Sequence, residues 1–333
     1  MTYMKRSTLN LVIACVLVFT LISCENTGVD TPKLSVSLAE GLVIEQVGDT
    51  LVCKKNDALR FIIDGNPDML VFFSGHAGSE FRYRNRTEID GDPAFSFNTL
   101  LTFGTQFNGL KVYVSSTFPG ITREEVTDRT NISNMEYWQE ITDQCNLPTT
   151  KNAPNNEKAS PLIDLSDFKG KPFYLAFRLF HPQGNESTWR MSNLRIINTF
   201  NGIDTEIGSF KTIGFTAFDM VAASDPYLSD GNATDKTNRR WNLNTASSDY
   251  ITVGGSTGNT VDNNDWAVSD KINLTKAIPD KGVAIKGFDN APLEEYEYQY
   301  DVPGVYTVTF LGVNSLYDSR AEAIQELIIK IID

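Results

Sequence analysis

Short apolar runs, separated by turn residues, recur along most of the chain. Residues 59–63 and 69–73 are two such runs, and the Asp-Gly-Asn-Pro-Asp segment between them is rich in turn formers. Residues 172–180 are strongly apolar, whereas residues 110–114 and 189–197 alternate apolar with polar side chains. Because successive side chains of a strand point to opposite faces, this pattern predicts β-strands and no long amphipathic helix.

The C-terminal region has the same pattern. Tyrosines alternate over residues 296–300, and Pro303-Gly304 then marks a turn. Residues 306–311 alternate again, and the chain ends in the apolar run 327–332. Such a hairpin cannot bury its apolar face alone, so we expect it to pair with strands from elsewhere in the chain.

Two shorter segments complete the prediction. Residues 81–84 alternate and predict a further strand. Residues 121–127 are the one helix candidate, and this candidate is short. The pattern therefore predicts a fold made almost wholly of strands.

Residues 1–23 have the layout of an export signal. A basic start precedes an apolar stretch at 9–22, which is shorter than the roughly 20 apolar residues that span a membrane. The Leu-Ile-Ser-Cys sequence that ends at Cys24 resembles the lipobox of bacterial lipoproteins, whose cysteine is diacylated after cleavage. We expect a signal peptide at 1–23, a lipid on Cys24 and a polar tether at 24–33. The alternative is an uncleaved anchor that contains a cysteine by chance.

Charge narrows the choice of partners. The formal net charge is −13, and it becomes −15 once the two basic residues of the signal segment are removed. An acidic body without Lys/Arg runs has no general attraction for nucleic acid or for anionic lipid headgroups. We therefore expect no nucleic-acid partner and attachment to the membrane through the lipid alone.

Length and composition favour about two β-rich domains. Cys53 and Cys145 remain after Cys24 and the signal-segment cysteine; an exported compartment permits a disulfide, but we prefer two separate buried thiols. His76 and His181 are the only histidines, which argues against a histidine-rich zinc site and weakens any catalytic triad.

Both ends of the body resemble parts of one domain type. Residues 296–314, with their alternating tyrosines and Pro-Gly turn, are similar to the second half of a PKD-type Ig-like domain, and residues 48–75 resemble its first half. The family's usual Trp-Asp-Phe-Gly-Asp-Gly loop is replaced here by residues 71–76. The resemblance implies one Ig-like sandwich made of residues 34–88 plus 289–333.

The inserted residues 89–288 resemble a jelly roll of the cleaved-adhesin or choice-of-anchor type. The motifs that carry this resemblance lie at residues 110–115, 138–142, 163–177, 189–194 and 264–274. The last of these usually precedes the others in that family, which implies a permuted strand order. The predicted fold class is therefore all-β: an Ig-like (PKD-type) sandwich split between the two chain ends, with an inserted jelly-roll β-sandwich.

From about residue 34 to the end, the combination is similar to the domain of unknown function 5017 family of surface lipoproteins from gut Bacteroides-type bacteria. The resemblance implies an outer-membrane, cell-surface location beside glycan-import systems. It implies no established activity.

Aromatic side chains are the first candidates for ligand binding, because the apolar faces of sugar rings suit a π-surface. Three tryptophans open strand-like runs and are predicted in the core or at its rim: Trp138, Trp189 and Trp266. Trp241 follows a polar loop and is the predicted stacking platform, completed by Tyr227, Arg239 and Arg240.

Acidic loops are the second candidates. Asp262, Asn264 and Asp265 form a compact set of oxygen donors that predicts a structural calcium site; a polar turn is the alternative. Asp225, Asp230 and Asp235 form a looser set. No other cofactor is expected.

Catalytic motifs are missing from the sequence, which contains no Gly-x-Ser-x-Gly elbow, His-Glu-x-x-His motif or phosphate-binding glycine loop. His76 lies near Ser74, but the sequence offers no third partner. We expect no enzyme activity. The leading hypothesis is a lipid-anchored surface protein that binds glycan beside outer-membrane uptake components. The alternatives are an adhesin or assembly subunit with a protein partner, and a glycan hydrolase with two facing carboxylates.

Overall fold

A computed structural model describes residues 28–152, 156–221, 226–227, 241–254, 258 and 260–333. The chain divides into two compact units. The first unit contains the chain up to Arg84 together with Asp280–Asp333, and the second contains Asn85–Pro279.

Twenty strands dominate the described residues. In chain order they are β1 (Ser35–Leu38), β2 (Glu45–Val47), β3 (Thr50–Lys54), β4 (Ala58–Asp64), β5 (Met69–Phe73), β6 (Asp92–Thr102), β7 (Leu110–Ser115), β8 (Gln139–Glu140), β9 (Lys158–Ala159), β10 (Ile163–Asp164), β11 (Tyr174–His181), β12 (Thr188–Phe200), β13 (Ile203–Gly208), β14 (Phe215–Asp219), β15 (Tyr250–Gly254), β16 (Asn263–Ser269), β17 (Val283–Lys286), β18 (Glu295–Gln299), β19 (Gly304–Leu316) and β20 (Ser319–Ile332).

Helices are few in the part of the chain that the structure describes. The α-helix α1 spans Glu125–Ser133. Short 3-10 helices lie at Phe81–Tyr83, Met135–Tyr137, Thr142–Gln144, Ser166–Phe168 and Ala246–Ser248. No helix among the described residues is both long enough and apolar enough to cross a membrane.

The first unit is a sandwich of two sheets. One sheet has the strand order β1-β4-β18, and the other has the order β17-β5-β19-β20-β3-β2. The β19–β20 hairpin runs from the pair Gly304–Ile331 to the pair Leu316–Ser319. β20 pairs in parallel with β3, and all other pairs of this unit are antiparallel. Two packed sheets, antiparallel except for the β3–β20 pair, form a β-sandwich.

Alternation along the strands builds the core of this unit. In β4, Leu59, Phe61 and Ile63 are buried while their neighbours are exposed. The ring of Phe61 packs against Phe310 of β19 at a centroid distance of 5.2 Å. The apolar periodicity of the sequence thus places these side chains between the two sheets.

The second unit is also a two-sheet sandwich. One sheet has the order β10-β6-β12-β13, with β15 also paired to β12 and β9 to β6. The other has the order β14-β16-β11-β7-β8. Its core includes Phe97 of β6 and Phe177 of β11, whose rings meet edge to face at 5.4 Å. The two units confirm the predicted all-β sandwich class.

A smaller apolar cluster covers the outer face of the five-stranded sheet β14-β16-β11-β7-β8. Trp266 of β16 packs against Trp138 and Tyr113, and the indole N–H of Trp138 donates to the carbonyl of Ile132 in α1. Trp138, Trp189 and Trp266 are all buried, as core residues should be. Their predicted placement in the core or at its rim is confirmed.

The structure differs from three local predictions. Phe81–Tyr83 form a 3-10 helix in place of the strand predicted at 81–84, because Phe81 alone is buried, against Phe73, while the guanidinium of Arg84 lies over its ring. The helix predicted at 121–127 begins at Glu125, since the Glu124 carboxylate caps it by accepting from the Thr127 amide. β17 lies in the first unit, although the predicted insert at 89–288 includes it.

Candidate functional site

Trp241 is not a surface platform. Its side chain is fully buried in the core of the second unit, with its ring 6.3 Å from that of Phe177. The next residue, Asn242, bridges to Thr252 of β15, and this pairing seats Trp241 beside the core-facing Ile251 and Val253. The prediction of an exposed tryptophan at 241 is therefore wrong, because a buried indole offers no face to a sugar.

Tyr227 has a structural role. Its hydroxyl donates to the Asp128 carboxylate at 2.7 Å, and its ring packs edge-on against Phe218. Asp128 is fully buried and also accepts bonds from the Thr122 amide, the Thr122 hydroxyl and the Arg123 amide. Burial alone would raise the pKa of Asp128, but these hydrogen bonds stabilise the carboxylate and hold its pKa below the usual value. Tyr227 thus helps to fix α1 in place.

Several predicted residues lie outside the described residues: Cys24, Arg239, Arg240, Asp225, Asp230 and Asp235. The structure makes no statement about their positions.

The predicted calcium donors do not converge. Asn264 and Asp265 are successive residues of β16, so their side chains point to opposite faces of the sheet. The Asn264 amide oxygen accepts from Arg178 at 2.9 Å, and the Asp262 carboxylate accepts from the Gln183 amide at 3.0 Å. Within the described ranges no group of three His, Cys, Asp or Glu side chains could hold a metal ion. The prediction of one calcium site from these three residues is wrong because strand alternation separates them.

His76 and Ser74 are close, as their spacing suggests, but they belong to a packed cluster. His76 Nδ1 lies 3.2 Å from the Ser74 hydroxyl and 3.4 Å from the Tyr298 hydroxyl. The imidazole stacks on Tyr300 at 5.0 Å, and burial lowers the pKa of His76 although Asp301 acts in the opposite direction. The Ser74 hydroxyl is buried and already accepts from the His76 amide at 3.3 Å, so it is a structural group of this cluster.

A groove of about 460 Å³ at one end of the second unit is the best candidate site. The loop between β6 and β7 and the C-terminal end of β11 form most of it. Nine residues line the groove: Thr105, Gln106, Phe107, Asn108, Gly109, Thr149, Phe180, His181 and Pro182. A second hollow of about 350 Å³ shares Phe107, Asn108 and Thr149 with it, so the two hollows are adjacent parts of one surface.

Backbone contacts hold the two loops together. The Thr105 amide donates to the Asn185 carbonyl, and Gln106 bridges to Glu186. Gly104 has a φ of +54°, and a Cβ there would come 2.1 Å from the Glu186 carbonyl oxygen. Only glycine permits this approach of the two backbones.

Two aromatic rings form part of the lining. Phe180 is 43% exposed because it occupies an outward position of β11, and the Arg178 guanidinium lies 5.3 Å from its ring centroid. Phe107 is half-buried and packs against the core. Phe103, in the same loop, is 72% exposed and has a φ of +51°, an unusual conformation for a bulky residue. Strained residues of this kind cluster at functional sites.

Two polar side chains of the lining present buried atoms that lack a partner. His181 is 1% exposed, and neither ring nitrogen is hydrogen-bonded within the part of the chain that the structure describes. The same holds for Gln106 Oε1, whereas Gln106 Nε2 donates to the Pro182 and Gln183 carbonyls. Burial lowers the pKa of His181 to about 4, so the imidazole is neutral at physiological pH. A buried polar atom without a partner typically costs about 1–3 kcal/mol.

Sequence reasoning missed this groove. His181 precedes Pro182 in the sequence, yet it ends β11 and is buried. The available signal was the loop at 103–109, which combines two phenylalanines and two glycines with Gln106 and Asn108.

Comparison with curated proteins and with solved structures finds no match. A family model described as Domain of unknown function (DUF5017) matches residues 23–215, more than half of the 333-residue chain. The chain therefore belongs to the DUF5017 family.

Proposed function

We propose that this protein is a non-catalytic, lipid-anchored cell-surface protein that binds glycan in the groove of its second unit, as an accessory to a polysaccharide uptake system. One observation carries the proposal: two aromatic rings, one of them exposed, and three unpartnered buried polar atoms line the same groove. Sugars have both kinds of surface, since they combine apolar C–H faces with hydroxyl groups.

The aromatic part of the groove supplies the stacking surface. Phe180 presents a largely open ring whose conformation is supported by Arg178, and Phe107 is anchored in the core. A ring held in this way loses little side-chain entropy when a ligand stacks on it. The exposed polar side chains of Thr105, Asn108 and Thr149 then provide hydrogen bonds at the rim.

The composition of the groove favours binding without catalysis. Glycosidases need two carboxylates across the scissile bond, and the nine described lining residues include neither Asp nor Glu. The His76–Ser74 pair lies in the other unit and is tied into a tyrosine cluster. Neither the described lining of the groove nor the His76–Ser74 pair therefore presents both a general acid and a nucleophile to a bound ligand.

The N-terminal sequence supports the proposed location. The lipobox-like segment that ends at Cys24 provides for a diacyl anchor. The acidic body would be repelled by anionic headgroups, so attachment would depend on the acyl chains. A tethered, weakly binding protein at the cell surface raises the local concentration of polymer near an importer.

An affinity-gel screen of the purified protein over a broad panel of polysaccharides tests the proposal. We expect retention by at least one polymer, and about fivefold weaker retention for Phe180→Ala, because truncating an interface aromatic commonly costs more than 1 kcal/mol. Phe288→Ala is the matched control, since Phe288 is 68% exposed but lies in the first unit. Equal retention of folded Phe180→Ala and wild type would reject the groove as the binding site. No retention of the wild type by any polymer of the panel would reject glycan binding.

A protein partner is the second candidate, favoured by the tip of the β19–β20 hairpin. Leu316 is 60% exposed and Tyr317 is 106% exposed, so two adjacent large side chains project from the first unit. Adjacent exposed apolar groups of this size are typical of protein contacts. If outer-membrane uptake components co-purify with the wild type but not with Tyr317→Ser, the hairpin tip is the contact.

A further inference from the structure

The charge of the groove narrows the ligand class. Its described lining contains no Lys, Arg, Asp or Glu, although charged residues make up 21% of the chain. We propose that the groove selects uncharged, hydroxyl-rich glycans and excludes uronic-acid and sulfated polymers, with Gln106 and His181 as its hydroxyl-binding side chains. This inference rests on the proposed glycan-binding function.

Gln106 is oriented to accept a hydrogen bond. Its Nε2 donates to the Pro182 carbonyl at 3.0 Å and the Gln183 carbonyl at 3.4 Å. Both contacts are acceptors, so they fix the nitrogen on that side and leave Oε1 as the free group. A sugar hydroxyl can donate to Oε1, whereas an ionised carboxylate or sulfate has only acceptors and would be repelled.

His181 adds a donor and an acceptor without adding a charge. A neutral imidazole has one N–H and one bare nitrogen, which match the two roles of a hydroxyl. The side chain is held against Gly109, where a Cβ would come 1.9 Å from its ring, so its position is fixed before ligand binds. A ring that remains neutral offers no ion pair to an anionic sugar.

Charges around the groove do not reverse this selection. Lys111, in the adjacent hollow, is paired with Glu140 at 2.9 Å. Arg178 lies over the Phe180 and Trp266 rings and donates to Asn264. Asp262 accepts from the Gln183 amide and adds a negative charge beside the 182–183 segment. The neighbouring cations are therefore engaged, and Asp262, together with Asp143 of the adjacent hollow, disfavours an anionic ligand.

Selective labelling of histidine gives a direct test, because the chain has only two histidines. The probes are oligosaccharides of a neutral glucan, mannan, galactan and fructan, and of polygalacturonate and chondroitin sulfate. We expect a neutral oligosaccharide to shift the ring signals of His181 and to leave those of His76 unchanged, with no shift from the charged probes. This measurement uses the wild-type protein, and a His76→Gln variant assigns the signals.

Affinity gels with Gln106→Leu provide the second arm. We expect about three- to tenfold weaker retention by the neutral polymer, the usual effect of losing one hydrogen bond. Gln46→Leu is the control, since Gln46 also donates to a backbone carbonyl, that of Gly48, but lies in the first unit. If a charged oligosaccharide shifts His181, glycan binding stands and the neutral selection is wrong. If no oligosaccharide shifts it, while gels show no retention, both proposals fail.

Discussion

Gly109 lies directly against the imidazole of His181: a Cβ atom built on Gly109 would come within 1.9 Å of both Cδ2 and Nε2. The carbonyl of Gly109 also accepts from the Phe180 amide, which fixes this close approach at the end of β11. The groove thus requires glycine at position 109, because any side chain there would occupy the space of the His181 ring.

Gly109→Ala should therefore displace the His181 ring from the groove. Because a Cβ atom at 1.9 Å is impossible, the ring or the loop must shift, and we expect a loss of unfolding free energy of about 1–3 kcal/mol. Glycan retention should fall at least as far as in Phe180→Ala. Urea unfolding and affinity gels measure the two effects.

Gly287→Ala is the matched control for this substitution. The nearest atom to its Cβ would be the Asn290 side-chain oxygen at 3.2 Å, which can move aside. We expect stability and retention close to those of the wild type. Normal glycan retention in Gly109→Ala would contradict the placement of His181 in the binding groove.

Acid should weaken the second unit through His181. Burial lowers the pKa of this imidazole from about 6.5 to about 4, so the unfolded chain binds a proton at a higher pH than the folded chain. The unfolding free energy is therefore highest above about pH 6.5, where His181 is neutral in both states. It falls by about 3 kcal/mol in total as the pH decreases toward 4. Urea unfolding monitored by tryptophan fluorescence from pH 7.5 to 4.5 measures this loss.

The tryptophans make this measurement specific. All four lie in the second unit, whereas His76, whose pKa is also lowered by burial, lies in the first. His181→Gln should flatten the dependence on pH between 6.5 and 4.5. An unchanged slope in that variant would assign the acid sensitivity to other groups.

The strands could be predicted because each depends on a local pattern. Leu59, Phe61 and Ile63 alternate in the sequence and alternate in burial. The start of α1 was misplaced by a few residues because only Asp128 and Ile132 of this helix are buried, which gives little periodicity. Local pattern therefore predicts elements well where one face is consistently apolar.

The candidate site could not be predicted because it depends on contacts between distant residues. Trp241 is flanked by polar residues, and only its neighbours on β15 and β11 make it a core residue. His181 and Gln106 are 75 positions apart in the sequence and meet because β11 lies beside β7. Similarly, the Asp262–Asp265 cluster is compact in the sequence, but a strand divides its side chains between two faces.

Trp241→Ala should act on stability. Since the indole is fully buried in the main core of the second unit, its removal should lower the unfolding free energy by about 3–5 kcal/mol. Phe103→Ala is the control, because Phe103 is 72% exposed and its loss should change stability by less than about 1 kcal/mol. A folded, stable Trp241→Ala protein with weakened glycan retention would instead restore Trp241 as a ligand-binding residue.

Lipid attachment should depend on Cys24 alone. Both Cys15 and Cys24 lie in the N-terminal segment, but only Cys24 closes the lipobox-like sequence. In cells fed labelled palmitate, Cys24→Ala should lose the label and Cys15→Ala should retain it. The folded body is acidic and would be repelled by anionic headgroups, so the proposed anchor would supply the membrane affinity through its two acyl chains. Label on Cys24→Ala, or its loss from Cys15→Ala, would contradict the proposed anchor and with it the proposed location of the groove at the cell surface.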